Sequence, residues 1–180
     1  AQGHDFYGSG FGKFFDLWYS DGNYYLACAG TNEANTGRTY PYMMKSPSPS
    51  FLKTAGATVT QLSSKAGYIE GFYRDNNTLA FISNSGSEHA VMYSTPSAPL
   101  AYTYKAVTIS GNYSGSYLSR SCLSLIDGKF VYVGYYRSDN SYYYPILVYS
   151  DSITADSWTG QILNLPVSTE SALPKSPIFK

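Results

Sequence analysis

The strongest constraint on the fold is an internal repeat with a period of about fifty residues. Three segments each read as a strand, a tight turn and a second strand: FFDLWYSDGNYYLACAGT, GYIEGFYRDNNTLAFISNS and SRSCLSLIDGKFVYVGYYRS. Their turns are predicted at Asp21-Gly22, Asp75-Asn76 and Asp127-Gly128, which places the turn aspartates 54 and then 52 residues apart. Asp-Gly between alternating apolar residues indicates a two-residue hairpin, because both central positions need positive φ.

Each hairpin is followed by a second pair of strands. The segments YPYMMKSPSPSF, AVMYSTPSAPLAY and PILVYSDSITADSW each contain an apolar strand that ends on a serine: Ser46, Ser94 or Ser150. After a turn rich in Ser, Pro or Asp, a fourth short strand follows in ATVTQL, YKAVTI and WTGQILNL. Helical periodicity is not sustained, because Gly, Pro or an Asn/Ser cluster interrupts every window. Each unit is therefore predicted to contain four antiparallel strands.

Four-stranded antiparallel units that recur at this interval are typical of the blades of a β-propeller. We therefore predict an all-β chain with blade 1 at 14–62, blade 2 at 67–110 and blade 3 at 117–166. The segment ALPKSPIFK follows blade 3 where the first strand of another unit should be, so 172–180 is predicted to begin blade 4 of a partial ring. A β-trefoil or β-prism, which three units would complete, is the alternative.

The composition agrees with an all-β protein and excludes several kinds of partner. The chain has 20 Tyr, a residue that suits half-buried pleated surfaces because its ring packs while its hydroxyl stays in water. Charged residues make up 13% of the chain, the formal net charge is zero and no basic cluster is present, so nucleic acid is not expected to bind. No apolar run is long enough to predict a membrane span.

The cysteines and histidines do not indicate a metal site. Cys28 and Cys122 are predicted to be unpaired, since a whole blade lies between them and a disulfide needs closely spaced Cα atoms. Their spacing matches no metal-binding motif, and His4 and His89 are far apart in the chain. We therefore expect no metal and no other cofactor.

The turn after the third strand of blade 3 resembles the corresponding turn of sialidase-type propellers, which carry BNR or Asp-box repeats. The resemblance lies in LVYSDSITADSW, with weaker counterparts in VMYSTPSAPLAYTY and YMMKSPSPSFLKT. In that family a Ser, an Asp and a downstream Trp stabilise the turn. The resemblance gives these structural roles to four residues: Ser150, Asp151, Asp156 and Trp158. No arginine stands in the Arg-Ile-Pro setting typical of sialidases, so sialidase activity is not expected.

The starts of blades 1 and 2, DLWYSDGNYYLACAGT and YIEGFYRDNNTLAF, are similar to the blade starts of family-43 glycoside hydrolases. Those enzymes are five-bladed propellers whose catalytic Asp and Glu stand on the innermost strands. The resemblance implies that Asp16 and Glu70 are the catalytic carboxylates, each five residues before its turn aspartate and so at equivalent positions. One would protonate the leaving group and the other would activate water. The equivalent position in blade 3 is Cys122, and Phe72 stands where the family usually has Pro.

The loops between the second and third strands are the polar ones: TNEANTGR, SNSGSEH and RSDNSY. Binding residues tend to lie on loops that a rigid scaffold holds in place. Aromatic rings beside amides and carboxylates suit sugars, because C–H faces stack on rings while hydroxyls form hydrogen bonds. The predicted ligand-binding residues are Asn32, Glu33, Arg38, Glu88, His89, Arg137, Asp139 and Tyr142.

Two classes of function remain. The first is a glycan-binding or adhesion propeller that is extracellular or virion-associated; the composition and the eroded Asp-box turns resemble those of bacteriophage tail proteins. The alternative is a glycoside hydrolase related to family 43. Under both, the expected partners are a carbohydrate such as a cell-surface glycan, and the remainder of the same protein or another subunit that completes the ring.

Overall fold

The computed structural model describes residues 14–30, 40–50, 56–63, 68–84, 88–111, 118–119, 123–137 and 143–163. The regular structure of these residues is entirely β, and they include no helix that could cross a bilayer. The strands are β1 (Phe14–Ser20), β2 (Asn23–Gly30), β3 (Tyr40–Ser46), β4 (Thr58–Gln61), β5 (Tyr68–Arg74), β6 (Leu79–Asn84), β7 (His89–Thr95), β8 (Ala98–Gly111), β9 (Leu118–Ser119), β10 (Leu123–Ile126), β11 (Lys129–Arg137), β12 (Tyr143–Ser150) and β13 (Ser157–Ile162).

The strands form three four-stranded blades of a partial propeller, as predicted. Blade 1 is β1-β2-β3-β4, blade 2 is β5-β6-β7-β8 and blade 3 is β10-β11-β12-β13, while β9 pairs with β11. Neighbouring strands within each blade are antiparallel. The first strands of the blades lie side by side, since β5 contacts both β1 and β10. This arrangement is neither a β-trefoil nor a β-prism. The predicted start of blade 4 lies outside the described residues.

The two Asp-Gly turns have the backbone conformation that their residues imply. The φ angle is 48° at both Asp21 and Asp127, and it is 75° at Gly22 and 74° at Gly128. Two successive residues with positive φ match the right-handed twist of the strands that they join. The first and last hairpins therefore close over two residues.

The hairpin of blade 2 closes differently. The Asp75 N–H donates to the Thr78 carbonyl at 3.0 Å, so Asn76 and Asn77 form the centre of the turn. The Asp75 side chain stabilises this turn, because one carboxylate oxygen accepts the N–H groups of Asn77 and Thr78, each at 2.7 Å. Asp75 thus stands one residue before the turn centre, whereas Asp21 forms the centre in blade 1.

Blades 2 and 3 are joined through their outermost strands. Strand β8 extends beyond the predicted segment YKAVTI, and its last four residues, Thr108 to Gly111, pair in parallel with the first four of β13. The Thr108 N–H also donates to the Asp156 carbonyl at 2.9 Å. The Lys105 ammonium lies 2.8 Å from the Asp156 carboxylate and donates to the Thr154 carbonyl. One continuous sheet therefore runs through both blades.

This junction requires a glycine at its end. Gly111 has a φ of 114°, a conformation that residues with side chains rarely adopt. A Cβ atom on Gly111 would lie 2.3 Å from the carbonyl oxygen of Gly160 in β13. The two outer strands can approach each other here because neither backbone carries a side chain at the contact.

Apolar side chains fill the spaces between the blades. Between blades 1 and 2 the buried residues are Trp18, Tyr25, Ala27, Ala29, Met43, Ile69, Leu79, Phe81 and Met92. Between blades 2 and 3 they are Ala80, Ile82, Val91, Leu123, Tyr132, Ile146, Val148, Ile153 and Trp158. Cys28 belongs to a smaller cluster on the other side of blade 1, is unpaired as predicted, and has its pKa raised to about 12 by burial. Cys122 lies outside the described residues.

Candidate functional site between blades 1 and 2

Each blade has two faces, which we name by their neighbours. The forward face points to the next blade along the chain, and the rear face points to the preceding one. Trp18 on the forward face of blade 1 packs with Leu79 on the rear face of blade 2. Tyr73 on the forward face of blade 2 meets Phe130 of blade 3 edge to face, with ring centroids 5.4 Å apart. Forward and rear faces thus pack against each other at both junctions.

Asp16 forms an ion pair across the junction of blades 1 and 2. It lies on β1, and its Oδ2 is 2.5 Å from Nε of Arg74, which ends β5. The other carboxylate oxygen accepts the N–H of Leu17 at 2.8 Å. Both partners keep contact with solvent, since the Asp16 side chain is 29% exposed and that of Arg74 is 34% exposed. Two innermost strands from successive blades therefore build one charged, accessible site.

An aromatic stack supports the arginine. The Cζ atom of Arg74 lies 5.3 Å from the centroid of the Trp18 ring, which is within the range of a cation–π contact. Trp18 is buried between two further rings, Tyr25 at 5.5 Å and Phe72 at 6.2 Å, and both are nearly parallel to it. This packing limits the positions that the guanidinium can take. We call Asp16, Arg74 and Trp18 the inter-blade site.

The strand ladders show which residues of the blades are equivalent. The buried serines that end the third strands, Ser46, Ser94 and Ser150, pair with Tyr24, Leu79 and Phe130 respectively. On the first strands, Tyr19 pairs with Tyr24 and Arg74 pairs with Leu79, so Arg74 corresponds to Tyr19. Glu70 then corresponds to Phe15, and Asp16 corresponds to Gly71. The predicted equivalence of Asp16 and Glu70 is wrong by one residue, because Asp75 precedes the turn of blade 2.

The innermost strands of blades 1 and 2 share a β-bulge. The register of β1 against β2 shifts between Phe14 and Asp16, and that of β5 against β6 shifts between Ile69 and Gly71. The extra residues are Phe15 and Glu70. A bulge interrupts the regular alternation of side chains and is common beside active sites. Asp16 and Glu70 therefore lie on neighbouring inner strands, but only Glu70 is a bulge residue.

The structure describes two of the predicted candidates from the 2–3 loop of blade 2, Glu88 and His89. Glu88 accepts a hydrogen bond from the Tyr104 hydroxyl, and Tyr104 packs at the junction with blade 1. His89 pairs in the ladder with Val107, which packs at the junction with blade 3. Burial lowers the pKa of His89. Burial and the bond to Glu88 raise the pKa of Tyr104. Glu88 thus bonds to a residue at the junction with blade 1, whereas His89 pairs with a residue at the junction with blade 3.

The other loop candidates are not tested by the structure. Arg137 ends β11, where it pairs with Tyr143. The remaining predicted ligand-binding residues lie outside the described ranges: Asn32, Glu33, Arg38, Asp139 and Tyr142. Within the described ranges, no group of three His, Cys, Asp or Glu residues could hold a metal ion.

The turn between β12 and β13 contains the four residues that resemble an Asp box. The Ser150 hydroxyl is buried and donates to the Ser152 carbonyl at 3.0 Å, while Trp158 is 1% exposed. Asp151 forms an ion pair with Lys129, and Asp156 forms the ion pair with Lys105 described above. Ser150 and Trp158 thus stabilise the turn from inside, whereas the two carboxylates lie at its surface.

The partnership of Arg74 with Asp16 was not predicted, although both residues are prominent in the sequence. They are 58 residues apart, and their contact depends on which face each strand turns to its neighbour. The signal that could have revealed it is the period-two alternation. Asp16 and Trp18 share the forward face of β1, and Arg74 shares the rear face of β5 with Phe72.

No family model and no curated protein matches the sequence. Solved structures do share its fold. The chain is similar to a bifunctional GH43-CE protein of Bacteroides eggerthii, with a TM-score of 0.50, 19% identity, and coverage of 85% of this chain and 19% of that one. It is also similar to an endo-arabinase of Bacteroides thetaiotaomicron, with a TM-score of 0.47, 18% identity, and coverage of 83% of this chain and 61% of that one.

The similarity to the GH43-CE protein concerns the fold, since the identity is 19%. The chain spans only about a fifth of that protein's length, because the match covers 19% of it. Most of the present chain takes part in the match, which covers 85% of it. The three blades therefore share the architecture of part of a GH43 protein, as the resemblance in the first two units implied.

Proposed function

We propose that this chain belongs to a carbohydrate-active propeller that hydrolyses glycosidic bonds, with Asp16 as one of its functional carboxylates. The observation that carries the proposal is the position of Asp16. Its carboxylate is partly exposed on the innermost strand of blade 1, next to the inner strand that carries Glu70. The fold shared with part of a GH43-CE protein supports the same class of reaction.

The surroundings of Asp16 suit the role of a base. Hydrolysis of a glycosidic bond uses one carboxylate that activates water or attacks the sugar, and one carboxylic acid that protonates the leaving oxygen. The Arg74 guanidinium and the Leu17 N–H both donate to Asp16, so its two carboxylate oxygens are held in a defined orientation beside the neighbouring inner strand. We assign the acid to Glu70, the bulge residue of the neighbouring inner strand.

The test is hydrolysis by the intact protein. We expect turnover of an aryl glycoside or a plant polysaccharide, and a fall in kcat of about a hundredfold in both Asp16→Asn and Glu70→Gln. Asp151→Asn is the matched control, because Asp151 is an exposed, ion-paired carboxylate at a turn of blade 3. If wild-type protein turns over none of a broad panel of glycosides, the hydrolase proposal is wrong.

A second candidate is glycan binding without cleavage, at an extracellular or virion surface. It is favoured by the exposed rings on blade 1. Tyr19 is 62% exposed, and its ring centroid lies 4.9 Å from that of Tyr24. Such rings can stack on the C–H faces of a sugar. Binding of a glycan that the wild-type protein does not cleave would favour this candidate.

We further propose that other blades cover the rear face of blade 1 and the forward face of blade 3. These blades would come from the remainder of the same protein or from another subunit. Among the described residues, the exposed large apolar side chains are concentrated on the first strands of these two blades. They include Phe14 and Leu17 on β1, and Ile126 on β10. Apolar surface grouped in this way marks an interaction site.

Light scattering on this chain alone tests that coverage. We expect a mass above that of a monomer, because the uncovered apolar faces favour association. Leu17→Asp should lower the mass, since it places a charge on the rear face of blade 1. Leu100→Asp is the control, because Leu100 is 40% exposed on β8 rather than on a first strand. A stable monomer of the wild-type chain would count against the proposed partner.

A further inference from the structure

We propose that Asp16 and Arg74 together bind an uncharged sugar unit through two neighbouring hydroxyl groups, and that the pair discriminates against acidic sugars. The inference rests on the proposed function, since it names the class of glycan that the inter-blade site accepts. It differs from a catalytic role for Asp16, because Arg74 contributes donors that hydrolysis itself does not require.

Arg74 has hydrogen-bonding capacity to spare. A guanidinium has five N–H donors in a fixed plane, and the Nε–H of Arg74 is directed to Asp16. The Trp18 ring lies beneath the guanidinium and supplies no acceptor atom in its plane. Within the described part of the chain, Asp16 is the polar partner of this side chain, which is 34% exposed. The two terminal NH2 groups are therefore available to a ligand.

Asp16 offers acceptors beside those donors. Each oxygen of an ionised carboxylate accepts about two hydrogen bonds. Oδ1 already accepts the Leu17 N–H, and Oδ2 accepts the Arg74 Nε–H. The remaining acceptor positions belong to a side chain that is 29% exposed. Donors and acceptors thus stand next to each other at the junction of two inner strands.

A pair of neighbouring sugar hydroxyls matches this arrangement. A hydroxyl both donates and accepts, so one can donate to the Asp16 carboxylate while the next accepts from the Arg74 NH2 groups. One sugar unit would then form hydrogen bonds with both Asp16 and Arg74. The aromatic stack beneath Arg74 already restricts the conformations of that side chain. Binding a sugar therefore costs less of its conformational entropy.

Charge explains the discrimination. The pair is neutral overall, because the guanidinium is already compensated by the carboxylate. The carboxylate of a uronic acid would be attracted by Arg74 and repelled by Asp16 at a similar distance. Such a ligand would lose its hydration without a net electrostatic gain. An uncharged sugar pays no such penalty.

Isothermal titration calorimetry on the intact protein tests the proposal. The ligands are a panel of neutral oligosaccharides and, as the acidic probe, hexagalacturonate. We expect a neutral ligand to bind and hexagalacturonate not to bind measurably. Arg74→Met should weaken neutral binding at least about tenfold, because hydrogen bonds to a charged group are lost. Arg74→Lys should not restore it, since one ammonium cannot reproduce the planar set of donors.

Asp16→Asn gives the sharpest result. It leaves the guanidinium without its negative partner, so we expect binding of hexagalacturonate to become measurable while neutral binding falls at least about tenfold. Lys129→Met is the control, because it removes a comparable ion pair, that with Asp151, at a hairpin turn of blade 3. Its binding of both probes should equal that of wild-type protein, and thermal melting of each variant checks that it is folded.

The outcomes separate this inference from the hydrolase proposal. Wild-type protein that binds a neutral glycan without cleaving it overturns hydrolysis and leaves the inference standing. Cleavage with unchanged affinity in Arg74→Met, or tighter binding of hexagalacturonate than of every neutral glycan by wild-type protein, overturns the inference alone. Binding of no glycan at all overturns both. If Arg74→Met does not fold, Arg74→Lys and Asp16→Asn decide the question.

Discussion

Gly111→Ala is expected to lower the free energy of unfolding by about 4 kcal/mol, which combines backbone strain with an overpacked contact. The added Cβ would lie 2.3 Å from the Gly160 carbonyl oxygen, and no side-chain rotation can relieve a clash with backbone. The φ of 114° is unfavourable for alanine in addition. The parallel pairing of β8 with β13 would therefore have to separate.

Urea denaturation measures this effect, and another glycine provides the control. Gly128 also has positive φ, at 74°, but a Cβ there would have no atom within 4 Å. Gly128→Ala should therefore cost only the strain of the left-handed conformation, about 1 kcal/mol. Equal losses in the two variants would show that the contact between Gly111 and Gly160 does not hold the outer strands together.

Trp158→Ala is expected to destabilise the protein by about 4 kcal/mol. Trp158 is 1% exposed and lies in the core between blades 2 and 3, with its ring centroid 5.9 Å from that of Tyr132. Alanine would leave a cavity that this packed junction could fill only in part. Trp158→Phe should cost less than half as much, because the buried Nε1 has no hydrogen-bond partner to lose.

Fluorescence provides a suitable measurement. The chain has two tryptophans, so Trp18 at the junction of blades 1 and 2 is the sole tryptophan reporter in both variants. Denaturation followed by Trp18 fluorescence and by circular dichroism gives the loss of stability and shows whether all blades unfold together. Identical midpoints for Trp158→Ala and Trp158→Phe would contradict the cavity argument.

The blade layout could be predicted because its signals are local. Asp21-Gly22 and Asp127-Gly128 form the expected turns, since their conformation depends on the two residues themselves. The alternation of apolar residues placed the strands around them for the same reason. The sequence predicts Asp75 at the centre of its turn, but it stands one residue before the centre, where its side chain accepts two backbone N–H groups.

The candidate site was predicted only in part. Asp16 was singled out from its position on a first strand, and the structure places it on an innermost strand as expected. Its partner Arg74 comes from another blade, and such contacts depend on strand register and on the packing of two faces. The turn of blade 2 is centred one residue further on than the sequence spacing implied, which is why Glu70 corresponds to Phe15 rather than to Asp16.

The pairing of β8 with β13 has a consequence for the order of folding. Each antiparallel ladder joins strands of a single blade, whereas this pairing brings together residues such as Thr108 and Ser157, which are 49 positions apart. The entropic cost of closing so long a loop delays such a contact until blade 3 has formed its own strands. Contacts that form after the main barrier slow unfolding more than they speed folding. The junction would then slow the separation of blades 2 and 3 and so lengthen the lifetime of the folded state.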